Sequence, residues 1–190
     1  LAFSGSAAAS GFQLLEQNAS GLGNAYAGSA AVADNASTIF FNPAGMTKLQ
    51  AREFSLGLNA VKPSFEFSDK ASFIAPATGT STGDAGDWAF IPNGYLSWGL
   101  TKDLYVGVGF SAPFGLSTAY DPTWVGRFQS ISFDIKTYNI NPSIAYRVSD
   151  KLSIGFGVNW QRMEAEYVRM AAVAHPNPAF ISAVQNTKVT

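Results

Sequence analysis

Lys151-Leu152-Ser153-Ile154-Gly155-Phe156-Gly157-Val158-Asn159-Trp160 alternates apolar with small or polar residues along its length. Leu152, Ile154, Phe156, Val158 and Trp160 share one parity, and Ser153, Gly155, Gly157, Asn159 and then Gln161 share the other. Successive side chains of a strand point to opposite faces, so the stretch reads as one β-strand with two unlike sides. Thr137–Arg147 repeats the pattern: Tyr138, Ile140, Pro142, Ile144 and Tyr146 oppose Thr137, Asn139, Asn141, Ser143 and Ala145. Aromatic residues bracket the apolar stripe. A transmembrane β-strand has this form, with an apolar row about 25 Å tall, aromatic girdles at both interfaces and a polar lumen side.

Three earlier stretches alternate in the same way. Arg52–Val61 sets Phe54, Leu56, Leu58 and Ala60 against Ser55, Gly57, Asn59 and Val61. Trp88–Leu100 sets Trp88, Phe90, Leu96, Trp98 and Leu100 against Asn93, Tyr95 and Ser97, and Leu104–Phe110 sets Leu104, Val106, Val108 and Phe110 against Tyr105, Gly107 and Gly109. Five strands are therefore expected, at about 52–61, 88–100, 104–112, 132–147 and 151–169. Thr101-Lys102-Asp103 and Val148-Ser149-Asp150 are tight turns of polar residues. The links Pro63–Asp87 and Ala112–Ser132 and the stretch beyond Met170 are long and read as loops. Short turns on one side and long loops on the other are the outer-membrane arrangement, with the short side periplasmic.

Five strands do not close a barrel, and an open edge in lipid leaves N–H and C=O groups unpaired, so further strands are expected from outside this chain. The expected class is all-β: a transmembrane antiparallel barrel. A soluble antiparallel sandwich shares the alternation, because pattern alone does not say which side is wet. Small polar residues on the inner parity, aromatic caps and one-sided turn lengths favour the membrane wall.

Composition narrows the function. With 47% hydrophobic residues and 18 glycines among 190, the chain suits either setting, but it has no apolar run long enough for a spanning helix. Net charge is −1, from 12 basic and 13 acidic residues without a basic cluster, which disfavours nucleic-acid binding. There is no cysteine and one histidine, His175, so disulfides and Cys or multi-His metal sites are excluded and no cofactor is expected. His175 has no nucleophile motif around it, and Gly21-Leu22-Gly23 lacks the remaining glycines of a nucleotide-binding turn. No enzymatic activity is expected.

Leu1-Ala2-Phe3-Ser4-Gly5-Ser6-Ala7-Ala8-Ala9 resembles the end of a secretory signal running into a small-residue cleavage site, which sets 1–9 apart as a remnant and Ser10 as the expected mature start. Residues 10–50 are rich in Ala, Gly, Ser and Asn, lack sustained alternation and read as a compact plug with short helices; 51–190 is wall and loops.

The plug motifs are the most specific in the chain. Ser10-Gly11-Phe12-Gln13-Leu14, Ser20-Gly21-Leu22-Gly23-Asn24-Ala25-Tyr26-Ala27-Gly28, Ala33-Asp34-Asn35-Ala36 and Asn42-Pro43-Ala44-Gly45-Met46 together resemble the N-terminal hatch of the FadL-type outer-membrane long-chain fatty acid transporters. Gly109–Thr118, Asn139–Tyr146 and Gly155–Asn159 resemble that family in the same order. The resemblance implies a barrel of about 14 strands plugged by the hatch, in the bacterial outer membrane. It implies passive uptake of long-chain fatty acids, or of aromatic hydrocarbons by the same route, by a monomer among outer-membrane lipid and lipopolysaccharide. A structural or adhesive surface barrel is the reading from a different class.

Residues can be assigned on both grounds. Asn42-Pro43 suits a helix start, with Asn as cap and Pro where no amide donor is needed; the resemblance places Asn42, Pro43 and Ala44 near an opening in the wall. Pro113 and Gly115 should end strand pairing, and the resemblance makes Ser111, Pro113, Phe114, Gly115 and Leu116 an inward kink beside a lateral gap. Met163, Ala165, Tyr167 and Arg169 continue the inward parity of the last strand, with Arg162, Glu164 and Glu166 outward. A guanidinium offers paired donors to a carboxylate, and each buried methylene of an acyl chain contributes about 0.8 kcal/mol. By resemblance, Phe12, Ala165, Tyr167 and Arg169 line the ligand pocket. Phe180, Ile181 and Val184 are apolar residues of the last loop, expected to form an outer capture surface. Glu164 and Glu166 read as a solvated face.

Overall fold

The computed structural model describes residues 13–70, 79–172 and 182–190. Residues 1–9, Phe12, His175, Phe180 and Ile181 lie outside the described residues. A hatch comes first, with a one-turn α-helix, α1 (Thr38–Phe41), and 3₁₀ turns at Leu22–Asn24 and Pro43–Lys48. Among the described residues ten strands follow: β1 (Arg52–Val61), β2 (Glu66–Ser68), β3 (Thr82–Asp84), β4 (Ala89–Gly99), β5 (Leu104–Ser111), β6 (Gly115–Ala119), β7 (Ser132–Ser149), β8 (Leu152–Gly157), β9 (Trp160–Ala172) and β10 (Ser182–Val189). Among the described residues, no helix is long and apolar enough to cross a membrane.

All but β2 and β3 belong to one antiparallel sheet ordered β1-β4-β5-β7-β9-β10. The 18-residue β7 organises it. One edge of β7 pairs with β5 and, further along, with β6; the other pairs with β8 and then β9. Registers line up in rows across the sheet. Phe54, Leu96, Val108 and Pro142 form an outward row, and the adjacent inward row is Ser55, Tyr95, Gly109 and Asn141.

The exposure of those rows decides the environment. Leu56 is 77% exposed and Phe156 67%, and Phe54, Leu58, Val108, Ile140, Ile144 and Ile154 are exposed with them. On the opposite face Asn59, Asn93, Ser97, Asn139 and Asn141 are buried. Water-soluble sheets bury the apolar face. Here the polar face is inside and a continuous apolar surface is outside, which is stable only in lipid. Tyr138 and Tyr146 end the apolar row of β7; at the usual rise and strand tilt they stand roughly 20 Å apart in height, close to the apolar band of a barrel. The arginine and lysine at the ends of β1 cap tryptophans of neighbouring β4 and its lead-in: Arg52 lies 4.5 Å from the Trp98 ring centre and Lys62 5.8 Å from that of Trp88.

The wall differs from expectation in four places, each with a local cause. The single strand expected at 151–169 is divided into β8 and β9, yet both pair with β7 in one register, Ser143 with Gly157 and Ile140 with Trp160. Between them Val158 N donates to Pro142 O (3.0 Å), and Pro142 has no N–H to return the bond. The gap is one missing donor. Second, the last stretch is not all loop: β10 pairs along β9, Val184 opposite Met170 and Gln185 opposite Arg169, so Val184 is an exposed strand residue. Third, the link 63–87 contains the β2–β3 hairpin, and fourth, the link 112–132 contains β6. The paired wall therefore has six positions rather than five.

The β2–β3 hairpin is tied to β6. Ala119 N donates to Ala85 O (3.1 Å), and Trp124 stacks on Tyr120 (4.0 Å, 15°) with the Phe67 ring edge-on to it (5.0 Å, 86°). The Asp84 carboxylate closes the hairpin, accepting from Phe65 N (2.7 Å), Gly86 N (2.8 Å) and the Ser64 hydroxyl (2.8 Å). Those donors, first Gly86 and then Phe65 and Ser64, hold its pKa below the ordinary 3.8. A depressed carboxylate stabilises above its unfolded pKa and loses that contribution as pH falls through the folded value. Proteolytic nicking between Phe65 and Gly86 is expected to accelerate below pH 3.8, whereas Asp84→Asn is expected to be nicked faster already at neutral pH.

Glycines on the inner parity explain how the hatch seats. A Cβ on Gly107 would fall 2.6 Å from Met46 Sδ and 2.7 Å from Ile39 Cδ1, and one on Gly155 would fall 2.3 Å from Ala44 N. Ala36, Ile39, Met46 and Leu49 of the hatch form one buried cluster with Tyr95, Tyr105 and Ala145 of the wall. Thr47 donates from its hydroxyl to Ser153 Oγ (2.8 Å), and Arg147 Nη2 donates to Thr47 O. The small residues that read as a lumen lining are in part a landing surface for the plug.

Candidate functional site

Between β4 and the strands that follow it the wall is interrupted. β4 pairs with β1 from Ala89 to Trp98, but with β5 only from Gly94 to Gly99. β5 ends at Ser111, and β6 pairs with β7 but not with β4. The stretch Ala89–Asn93 therefore has no strand on its β5 side. Proline and a register change produce this. Ser111 pairs with Asn139 and Gly115 with Lys136, so four steps on one strand match three on the other: one extra residue is accommodated across Ala112–Phe114. Thr137 on β7 fills the resulting hole in the ladder, its hydroxyl accepting from Phe114 N (2.9 Å) and donating to Phe114 O (2.6 Å).

A hatch segment crosses the inner side of the interruption. Leu14 N donates to Pro113 O (2.8 Å), and Gln13 forms an isolated bridge with Phe114. On the other side, Asn59 Nδ2 of β1 donates to Glu16 O (2.8 Å) and the Tyr95 hydroxyl of β4 donates to Gln17 O (2.8 Å). Gln17 itself is buried, its amide donating to Leu14 O (2.9 Å). On the inner face of the wall Asn159 Oδ1 accepts from both Asn139 Nδ2 (3.1 Å) and Asn141 Nδ2 (2.7 Å).

Ala165, Tyr167 and Arg169 occupy alternate positions of β9. Ala165 pairs with Ile135 and Tyr167 with Phe133, on the same parity as buried Thr137 and Asn139. The Tyr167 ring meets Phe133 edge-on (6.2 Å, 75°), and its hydroxyl donates to Gln129 O. Arg169 is exposed, and its Nε donates to Gln185 Oε1 (3.1 Å). Nearby Arg127 commits Nη1 to the Trp124 carbonyl (3.1 Å). The upper inner face thus combines a ring pair, a methyl group and a guanidinium. On the outer face Arg162 pairs with Glu164 (3.0 Å), and Glu166 accepts from Asn186 (2.8 Å).

Asn42, Pro43 and Ala44 lie elsewhere on the hatch. Asn42 caps the 3₁₀ turn through its side chain, accepting from Ala44 N (3.2 Å), with Pro43 at the first position. Ala44 packs on Gly155 of β8, which pairs with Ala145 of β7. The hatch segment that meets Ser111, Pro113, Phe114 and Gly115 is instead Gln13–Gln17, with Leu14 Cδ1 3.2 Å from where a Cβ on Gly115 would be. Sequence reasoning did not single out Gln13, Gln17, Asn59, Tyr95 or Thr137. Two of them carried a signal: Tyr95 is an aromatic between Asn93 and Ser97 on its parity, and Asn59 an amide next to Ser55 and Gly57 on its own.

The chain is similar to known proteins along its whole length. Residues 1–190 match the family model described as outer membrane protein transport protein (OMPP1/FadL/TodX). Outer membrane protein P1 of Haemophilus influenzae is 34% identical over 181 residues, 89% of this chain and 39% of that protein. The long-chain fatty acid transport protein of Escherichia coli K12 is 32% identical over 169 residues, 85% of this chain and 35% of that protein. A crystal structure of a Pseudomonas aeruginosa FadL homologue superposes with a TM-score of 0.81 at 23% identity, over 94% of this chain and 46% of that one. The chain thus spans between about a third and a half of the length of these relatives.

Proposed function

The chain belongs to the OMPP1/FadL/TodX family of outer membrane transport proteins, and from that premise we propose that the complete protein takes up long-chain fatty acids passively, releasing them sideways through the interrupted wall. It resides in the bacterial outer membrane as part of a transmembrane β-barrel. Ligand is captured on the outer side of the protein, with Phe180, Ile181 and the β10 residue Val184 as the capture surface. It moves to the inner face of β9, where Arg169 holds the carboxylate and Ala165, Tyr167 and Phe12 line the acyl chain. It leaves between Ala89–Asn93 and β6, past Ser111–Gly115. Asn42, Pro43 and Ala44 serve in this reading as the fixed end of the hatch.

The observation that carries the reading is the interruption itself. Unpaired backbone facing lipid costs several kcal/mol per group, so a gap between neighbouring strands of the wall needs a use. An opening flanked outside by Phe90 and Phe110, both exposed and apolar, suits a ligand that partitions directly into lipid. No coupled energy source is required for a solute moving down its gradient.

The Phe133–Tyr167 ring pair supports a second substrate class, aromatic hydrocarbons. The same experiment separates the two. In the full-length protein in detergent, oleate binding is expected to saturate, and Arg169→Ala to weaken it roughly 10- to 100-fold, the worth of one charge-assisted hydrogen-bond pair. Toluene binding indifferent to Arg169 would move the assignment to hydrocarbons. Binding of neither ligand would leave a structural barrel.

A further inference from the structure

We infer that Asn139, Asn141 and Asn159 form a side-chain clasp across the seam between β7 and the β8–β9 junction, with Asn159 as the positioning residue that keeps this part of the wall shut and so confines ligand exit to the β4 side. The clause about exit rests on the proposed lateral route. The clasp itself rests on geometry alone.

The seam is weak where Pro142 faces Val158. Their step lies within one register, between Ser143 with Gly157 and Ile140 with Trp160. Directly opposed residues of an antiparallel pair alternate between exchanging two backbone bonds and exchanging none. Val158 N donates to Pro142 O (3.0 Å). The return bond to Val158 O cannot form, because proline has no N–H. Pro142 stands midway between Tyr138 and Tyr146 in the outward row of β7, so the half-made step sits near the middle of the apolar band, where no water replaces a lost backbone bond.

Side chains make up the deficit on the inner face. Asn141 and Asn159 occupy the adjoining non-bonded position, where opposed side chains approach most closely. Asn159 Oδ1 accepts from Asn141 Nδ2 (2.7 Å) and from Asn139 Nδ2 (3.1 Å), so one oxygen beyond the end of β8 is held by two donors of β7. The orientations are fixed. The Ser143 hydroxyl donates to Asn141 Oδ1 (2.6 Å), which leaves Asn141 Nδ2 for Asn159. Gly157 makes room for that chain, since a Cβ there would fall 2.6 Å from Ser143 Oγ and 3.3 Å from both amide atoms of Asn141. Asn139 spends its Nδ2 on Asn159 although its own Oδ1 is left buried without a hydrogen-bond partner within the protein. A turned amide would set that oxygen against Asn159 Oδ1 instead. Asn139 and Asn141 are both buried, which shields the donors from competing water.

The test uses the full-length protein in proteoliposomes, and hydrogen exchange of the Val158 amide is read first because it needs no substrate. Asn159→Ala is expected to speed exchange roughly tenfold, the effect of losing two neutral hydrogen bonds. Asn159→Asp keeps the accepting oxygen and should stay within about twofold of wild type. Pro142→Val supplies the missing N–H with a strand-forming side chain; alone it should slow exchange, and combined with Asn159→Ala it should return the rate to within about twofold of wild type. Lost packing on the inner face would not be rescued by a backbone donor on β7. Fatty-acid uptake is expected to rise in Asn159→Ala, through a second exit, and to fall back when Pro142→Val is added. Unchanged exchange in Asn159→Ala, or no rescue by Pro142→Val, would overturn the clasp. Faster exchange with unchanged uptake would overturn its part in confining the route. A wild-type protein that carries no fatty acid would overturn the transporter reading alone, with exchange still deciding whether Asn159 holds the seam.

Discussion

Arginine in place of Val108 is expected to destabilise the membrane-inserted protein by about 2–4 kcal/mol, the cost of a cation on the lipid side near the bilayer midplane. Val108 lies in the outward row with Phe54, Leu96 and Pro142, and Pro142 is midway between Tyr138 and Tyr146. Reversible unfolding in urea from lipid vesicles reads the loss directly, with Val108→Leu as the control that keeps the wild-type midpoint. In a water-soluble sheet the same change at a residue 42% exposed would be close to neutral, since surface substitutions in water fall within about ±0.5 kcal/mol. A midpoint unaffected by Val108→Arg would therefore contradict the lipid-facing wall.

The second large effect is expected at Gly155. Any side chain there meets the backbone of Ala44 and Pro43, at 2.3 Å and 2.7 Å from the Cβ position, and backbone cannot rotate away. Gly155→Leu is expected to lift the Pro43–Lys48 turn off β8 and to break the Thr47–Ser153 hydrogen bond and the Arg147 clasp with it. Overpacking of this kind costs about 1–3 kcal/mol when the structure can adjust, and here the adjustment available is displacement of the plug. The full-length barrel should still assemble but become permeable to hydrophilic antibiotics that the wild type excludes. Gly94→Ala is the matched control. Gly94 faces outward, its nearest neighbour is the end of the Leu56 side chain at 3.4 Å, and both stability and permeability should stay as in the wild type.

These two positions also mark how far the sequence was legible. The parity of Val108 could be read from a single strand, because a period of two assigns every residue of the segment at once, and the structure keeps that parity across β1, β4, β5 and β7. Gly155 could be placed on the inner parity but not explained. A glycine facing a polar lumen and one facing a docked backbone look alike until the hatch is in position. The division of the last strand was hidden for a different reason: Pro142 preserves the side-chain alternation while removing a hydrogen-bond donor, and only the partner strand registers the loss. β10 was missed because Ser182–Val189 mixes polar and apolar residues on both parities, and its pairing is set by β9. At the candidate site, Ser111–Gly115 announced itself through Pro and Gly. The contacts of Asn59 and Tyr95 with Gln13–Gln17 did not, since they join residues far apart in the chain through backbone carbonyls that any residue supplies.

The landing surface for the plug has a consequence for assembly. Thr47 meets Ser153 and Arg147, partners 106 and 100 residues further along the chain. Contacts of such long sequence separation form late, because the intervening loop must be closed before they reward it. The hatch is synthesised and exported ahead of every strand, yet its seat at Gly107 and Gly155 exists only after β5, β7 and β8 have paired. Ile39, Met46 and Leu49 therefore precede the wall in the chain but reach their buried places only after the wall has formed behind them.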